Sequence, residues 1–80
     1  MLTTEQIKAW IRAGLDCTHL AVEGDGRHFE ALIVSPVFNE LNRVQRQQRV
    51  NAVLREHFET ELLHALSMRC LTPEEFIARG

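Results

Sequence analysis

Four histidines, His19, His28, His57 and His64, are the side chains of this 80-residue sequence best suited to chemistry. A neutral imidazole nitrogen ligates zinc or iron, and it can replace thiolate on one iron of a 2Fe–2S centre. His28 and His64 each stand where an alternating apolar run begins, in GDGRHFEALIV (24–34) and LHALSMRC (63–70). If both runs are strands of one sheet, the two histidines converge at one edge of it. Two imidazoles cannot complete such a site alone, and the plainer reading is a pair of surface histidines at strand ends. His19 alternates outward on a strand and reads as exposed. His57 lies at the edge of an apolar helical stripe and reads as a packing residue.

A second group is basic. Residues 41–55 carry Arg43, Arg46, Arg49 and Arg55 and no acid, although the whole chain has 11 acidic against 9 basic residues. A short helix, a turn and a longer helix here have the outline of a helix-turn-helix, whose second helix would meet phosphates and base edges. The same arginines also suit a solvated helix face or a docking surface for an acidic partner. Arg46 and Arg49 are expected off the apolar stripe.

Catalysis is not indicated. There is no Ser-His-Asp order, no glycine-rich phosphate loop and no HExxH motif. Asp25 lies near His28, but turn chemistry explains a carboxylate there. Cys70 alternates inward and reads as core. Cys17 and Cys70 have no CxxC spacing, so neither a disulfide framework nor a zinc knuckle is suggested, and a reducing cytoplasm is expected.

The elements that must position these groups follow from pattern. Thr3 and Gln6 form a capping box, with Leu2 and Ile7 as a staple. Ile7, Trp10 and Ile11 repeat at helical spacing, and Gly14 is a natural stop. Leu20 and Val22 alternate with His19, Ala21 and Glu23 as a strand. Gly24-Asp25-Gly26 turns the chain, and residues 28–34 return as an antiparallel partner. Ser35-Pro36 breaks the pattern before a helical turn over 37–41. Asn42 then caps a helix to about Glu59, with Val44, Val50, Leu54 and Phe58 inward. Leu66, Met68 and Cys70 make a third strand, parallel to a hairpin strand. Thr72-Pro73-Glu74-Glu75 starts a last helix, anchored by Phe76 and Ile77.

The sum is α-β-β-α-α-β-α, one α+β domain over residues 1–80 with helices covering one face of a three-stranded sheet. A composition 45% hydrophobic and 25% charged fits a folded globule. A net charge of −2 drives no bulk association with nucleic acid or anionic membrane. No apolar run approaches the roughly 20 residues of a membrane span, and the N-terminus lacks the blocks of a signal peptide.

This order of elements, with GDGRHFEALIVSPVF, NRVQRQQRVNAVL and LHALSMRCLTPEEF, resembles the BolA family over nearly the whole chain. The third stretch is the most specific. The short Gly-Asp-Gly-x-His-Phe turn is similar to that of the family's IbaG-like subgroup, the classical BolA branch having a longer loop. The resemblance implies a fold akin to the class II KH domain, with a helix-turn-helix. It also implies a monothiol glutaredoxin partner carrying a CGFS motif, with a 2Fe–2S cluster bridged between the two proteins. Glutaredoxin cysteine and glutathione would supply thiolates, and this chain would supply His64 first and His28 second; the isolated domain would hold no cofactor. The sequence departs from the family where a common Gly is Glu40, an Arg-His-Arg run is Arg46-Gln47-Gln48, and a common Tyr is Asn51. These departures bear on DNA reading more than on cluster binding.

Overall fold

The computed structural model describes residues 2–57 and 65–79. Helix α1 (Thr4–Gly14) begins where Thr3, in extended conformation, accepts the Gln6 N–H on its hydroxyl at 3.1 Å. That satisfies one of the orphan donors of the first turn. Ile7 and Ile11 are buried, and Leu2 and Trp10 pack beside them. Gly14 stops the helix for a different reason from the one expected. It is still helical, and Leu15 after it is extended rather than left-handed. A Cβ on Gly14 would stand 2.5 Å from Val53 Cγ1. The residue is small because a second helix passes there.

Strands β1 (His19–Gly24) and β2 (Phe29–Val34) pair antiparallel, with Leu20 opposite Ile33 and Gly24 opposite Phe29. The turn between them is built by Asp25. Its Oδ1 accepts the Arg27 and His28 N–H groups, each at 2.9 Å, while Gly26 takes a positive φ of 96°. The N–H of Asp25 donates to the His28 carbonyl at 3.2 Å. His28 therefore closes the turn, and the strand starts one residue later than the pattern suggested.

Ser35 leaves β2 fully buried, donating its hydroxyl to the Asp16 carbonyl and accepting the Val37 N–H. The expected helical turn over 37–41 is a single 3₁₀ turn, Pro36–Phe38, that buries Phe38 completely. Glu40 then adopts φ 69°, the left-handed region that glycine enters freely. Asn42 and Gln45 cap each other's backbone N–H at 2.9 Å and open α2 (Arg43–Leu54).

Val50 and Leu54 face the core of α2 as expected, but Val44 is 61% exposed. At about 100° per residue, position 44 lies about 240° around the helix from Val50. Arg46, one turn before Val50, holds the inward place instead. The expected end near Glu59, the buried position of Phe58, and His64 all lie outside the described residues.

Strand β3 (Leu66–Leu71) pairs parallel to β2, from Phe29 opposite Leu66 to Val34 opposite Leu71, so β2 is central. Thr72 and Glu75 close a capping box at 2.8 and 3.1 Å, and α3 (Pro73–Arg79) follows. Helices α1 and α2 cover the face formed by Leu20, Phe29, Ala31, Ile33 and Leu66. The expectation of helices on one face holds for these two only. Phe76 of α3 stacks on His19, whose side chain alternates to the other face, with ring centroids 4.7 Å apart. Val34 shares that row and is fully buried. Ile77 does not anchor the helix: it is 77% exposed, one step around from Phe76.

The contact at Gly14 can be tested by a paired substitution. Gly14→Ala should lower stability by about 1–3 kcal/mol through overpacking against Val53, whose branched side chain cannot swing aside. Adding Val53→Ala should return most of that loss in a denaturation double-mutant cycle. A Gly14→Ala protein as stable as its parent would mean the two helices are not in contact there.

Glu40 supplies a second test. Glu40→Gly should raise stability by about 1 kcal/mol, since a non-glycine residue in the left-handed region is strained. A loss measured by urea titration would show that the Glu40 side chain contributes more than its backbone costs.

Candidate functional site

The register of β2 and β3 decides what the sheet's end can do. The N–H of Phe29 donates to the Ala65 carbonyl at 2.9 Å. Phe29 follows His28 in the chain, and Ala65 follows His64. Parallel pairing thus joins the segment entering β2 to the segment entering β3, at the end where the Asp25 turn also lies. His28 is exposed, with its own N–H and carbonyl both held by Asp25. A clamped backbone with a solvent-facing ring suits a ligand residue. The two N–H groups of His28 and Arg27 hold the Asp25 carboxyl below its usual range. The carboxylate is occupied by the turn, as expected.

The other described histidines have ring partners. His57 stacks on Trp10 at 5.0 Å with the planes 7° apart. His19 is exposed, as expected, and its ring also lies against Phe76, whose ring carries the Arg79 guanidinium at 4.7 Å. Among the described residues, no three His, Cys, Asp or Glu side chains gather where a metal could be held.

Neither cysteine is poised as a thiolate. Burial pushes the Cys70 thiol up to about 11 against the opposing pull of Arg46. Burial also raises Cys17, whose thiol lies 3.5 Å from the Leu15 carbonyl. Cys70 is partly buried against the core rather than within it, and its raised thiol agrees with the expectation that it is inert.

The arginines divide. Arg43, Arg49 and Arg55 are exposed. Arg46 is not off the buried face: only 14% of its side chain is exposed. Its Nε donates to the Leu41 carbonyl at 2.9 Å, and its Nη1 to the Cys70 carbonyl at 3.0 Å. The guanidinium grips both oxygens of Glu75, at 2.6 and 3.3 Å, and stands 6.0 Å from the Phe38 ring centre. One side chain therefore ties the 3₁₀ turn, α2, β3 and α3 together. Replacing Arg46 with Glu would break this junction, contrary to the expectation that Arg46 stands off the apolar stripe. Sequence reasoning missed it, although Arg46 stands four residues before Val50 and Glu75 lies in an obvious cap.

These features can be set beside known proteins. The family described as BolA-like protein matches residues 11–75. The chain belongs to the BolA family. It is 31% identical over 75 residues to the acid stress protein IbaG of Escherichia coli, covering 94% of this chain and 89% of that one. It is 38% identical over 62 residues to the DNA-binding transcriptional regulator BolA of Haemophilus influenzae, covering 78% of this chain and 59% of that protein. The structure of a BolA homologue from Coxiella burnetii superposes with a TM-score of 0.83 and 38% identity, over 96% of this chain and 99% of that one. The IbaG-like resemblance of the chain is thereby supported, and so is the small α+β fold with its three-stranded sheet.

The BolA-family core here should show the signature of the Arg46–Glu75 pair in acid. Arg46 and the Thr72 N–H lower the Glu75 carboxyl from 4.5 to about 2. A depressed folded-state value means the carboxylate's stabilisation is complete above its unfolded pKa and is lost as pH falls through the folded one. The stability gap between the parent and Glu75→Gln should be widest above pH 4.5 and close towards pH 2. A gap independent of pH would show that the charge of Glu75 is not what holds Arg46.

Proposed function

We propose that this BolA-family protein is a non-enzymatic adaptor that pairs with a monothiol CGFS glutaredoxin and binds a bridging 2Fe–2S cluster. The observation that carries the reading is the Phe29–Ala65 bond, which joins the residues following His28 and His64. His28 offers an exposed imidazole on a clamped backbone, and both thiols of the chain are raised by burial. A cluster here would take nitrogen from His64 and His28 and its thiolates from glutaredoxin and glutathione. The protein would act in the reducing cytoplasm, in iron–sulfur handling, iron homeostasis or a stress response, as a monomer or weak homodimer when alone. Similarity to an acid stress protein supports the stress-response part of this reading.

A second reading is a nucleic-acid-binding regulator with a KH-like fold, using a helix-turn-helix formed by the 3₁₀ turn and α2. A relative named as a DNA-binding transcriptional regulator favours it, with Arg43 and Arg49 exposed on α2. Arg46 is committed to Glu75, which leaves fewer free cations for phosphates. Salt separates the readings, because several phosphate contacts weaken steeply with ionic strength while metal–ligand bonds do not.

The test is co-purification with a CGFS glutaredoxin and glutathione, followed by visible absorption. His64→Ala should destabilise the bridged cluster, His28→Ala should do so more mildly, and His19→Ala should leave the spectrum unchanged. A double His28/His64 variant with the parent's spectrum and cluster lifetime contradicts the ligand assignment.

A further inference from the structure

On the sheet face opposite α1 and α2, the strand registers line up three rows of side chains that cross all three strands. The first row is His19, Val34 and Leu71. Helix α3 covers it, starting just past Leu71 of β3 and stacking Phe76 on His19 of β1. The helix therefore runs across the strands, and Val34 beneath it is fully buried. The second row is Ala21, Leu32 and Arg69, and the third is Glu23, Glu30 and Ser67. Here the face is open: Glu23, Glu30, Ser67 and Arg69 are all exposed. Half-buried Ala21 and Leu32 floor a hollow of about 340 Å³ that these four residues rim.

Glu23 and Glu30 stand directly opposite each other on β1 and β2. Like charges so placed destabilise a sheet, and neither carboxylate makes an ion pair among the described residues. Arg69 makes none either; it lies one row away, opposite Leu32. Two carboxylates against one guanidinium leave the open face at −1.

We propose that this face docks a basic amphipathic helix of a partner protein, laid across the strands beside α3. Packed helices lie about 8–10 Å apart, and successive rows on one sheet face are about 6.6 Å apart. A helix beside α3 therefore comes to rest between the second and third rows. Cβ atoms opposed across two strands are about 5 Å apart, close to the roughly 5–6 Å between residues four apart on a helix. Two cations at that spacing reach Glu23 and Glu30 together, and apolar neighbours on the same helix face settle on Ala21 and Leu32. Arg69 takes an acid of the partner at the β3 end. The paired carboxylates repel phosphates, which disfavours nucleic acid or anionic lipid here. A second copy of this chain, itself at −2, would set four carboxylates against two arginines across the interface. The inference uses neither His28 nor His64, so it stands apart from the cluster.

The full chain, labelled with ¹⁵N, is titrated with an Ala-rich peptide of about 18 residues, long enough to hold a helix, with Leu and paired Lys along one stripe. Parallel titrations use a scrambled peptide of the same composition and a version with Glu in place of Lys. The striped basic peptide should bind and shift amides around Ala21, Leu32 and Glu30. The scrambled and acidic peptides should bind at least about tenfold more weakly. Glu23→Gln with Glu30→Gln should weaken the striped peptide by a similar factor. Both glutamates are exposed, and the control peptides leave the protein untouched, so a folding defect cannot mimic this pattern. The proposal is overturned if the striped peptide does not bind, if either control peptide binds as well, or if the glutamine substitutions leave its affinity unchanged. Amide shifts centred on α2 overturn it too. So does a dimer in sedimentation that Arg69→Glu dissolves, because a second copy would then cover the face.

Discussion

The parallel pairing of β2 with β3 is the constraint on which the rest of the molecule depends. A hairpin such as β1–β2 needs only a turn, but parallel neighbours need a crossover across the sheet. The stretch between Val34 and Leu66 meets that need, and α2 within it supplies Val50 and Leu54 to the core. The register places Ile33 beside Cys70 and Phe29 beside Leu66, so the apolar face of β3 continues that of β2. A one-residue slip would turn Leu66 outward and Arg69 inward. The same register carries the Asp25 turn and the start of β3 to one end of the sheet.

Arg46 is the second fixed point, and its energetics differ from those of a surface arginine. Taking a guanidinium out of water is costly unless its donors are satisfied. Here two carbonyls and a carboxylate accept from it, and the carboxylate is half in solvent. The pair therefore ties α2 and α3 to the end of β3 without a fully buried charge. It also changes what the basic helix offers. Four arginines in a run without acids suggest one continuous cationic face, yet one of them is structural. The remaining arginines of the run, Arg43, Arg49 and Arg55, are exposed on α2 and at its C-terminal end.

Much of the fold was legible because local chemistry and burial agreed. The Thr3, Asn42 and Thr72 caps stand where Ser, Thr or Asn precedes helical patterning, and all three work as caps. Alternation placed all three strands. Failures arose where identity and position point different ways. Val44 is apolar but on the wrong side of α2, while Arg46 is charged and inward because a partner from α3 waits there. Gly14 was read as a stop from its backbone freedom, whereas its missing side chain is what Val53 needs. Of the candidate site, the surface position of His28 next to the Gly-Asp-Gly turn was legible, but its place within the turn rather than on the strand was not. The two Asp25 bonds that hold it leave no mark in the alternation. The parallel pairing beside Ala65 followed from the crossover. The partners of Arg46 span 29 residues of sequence to Glu75, and no local pattern encodes such a contact.

The proposed adaptor would contribute nitrogen, and not thiolate, to a shared cluster. The most direct measurement is pulsed electron paramagnetic resonance on the reduced, glutaredoxin-bridged cluster, with this chain alone labelled with ¹⁵N-histidine. The account predicts hyperfine couplings from ¹⁵N bound to iron. A cluster that forms in the complex yet shows no such coupling, with thiolates alone around both irons, would contradict it.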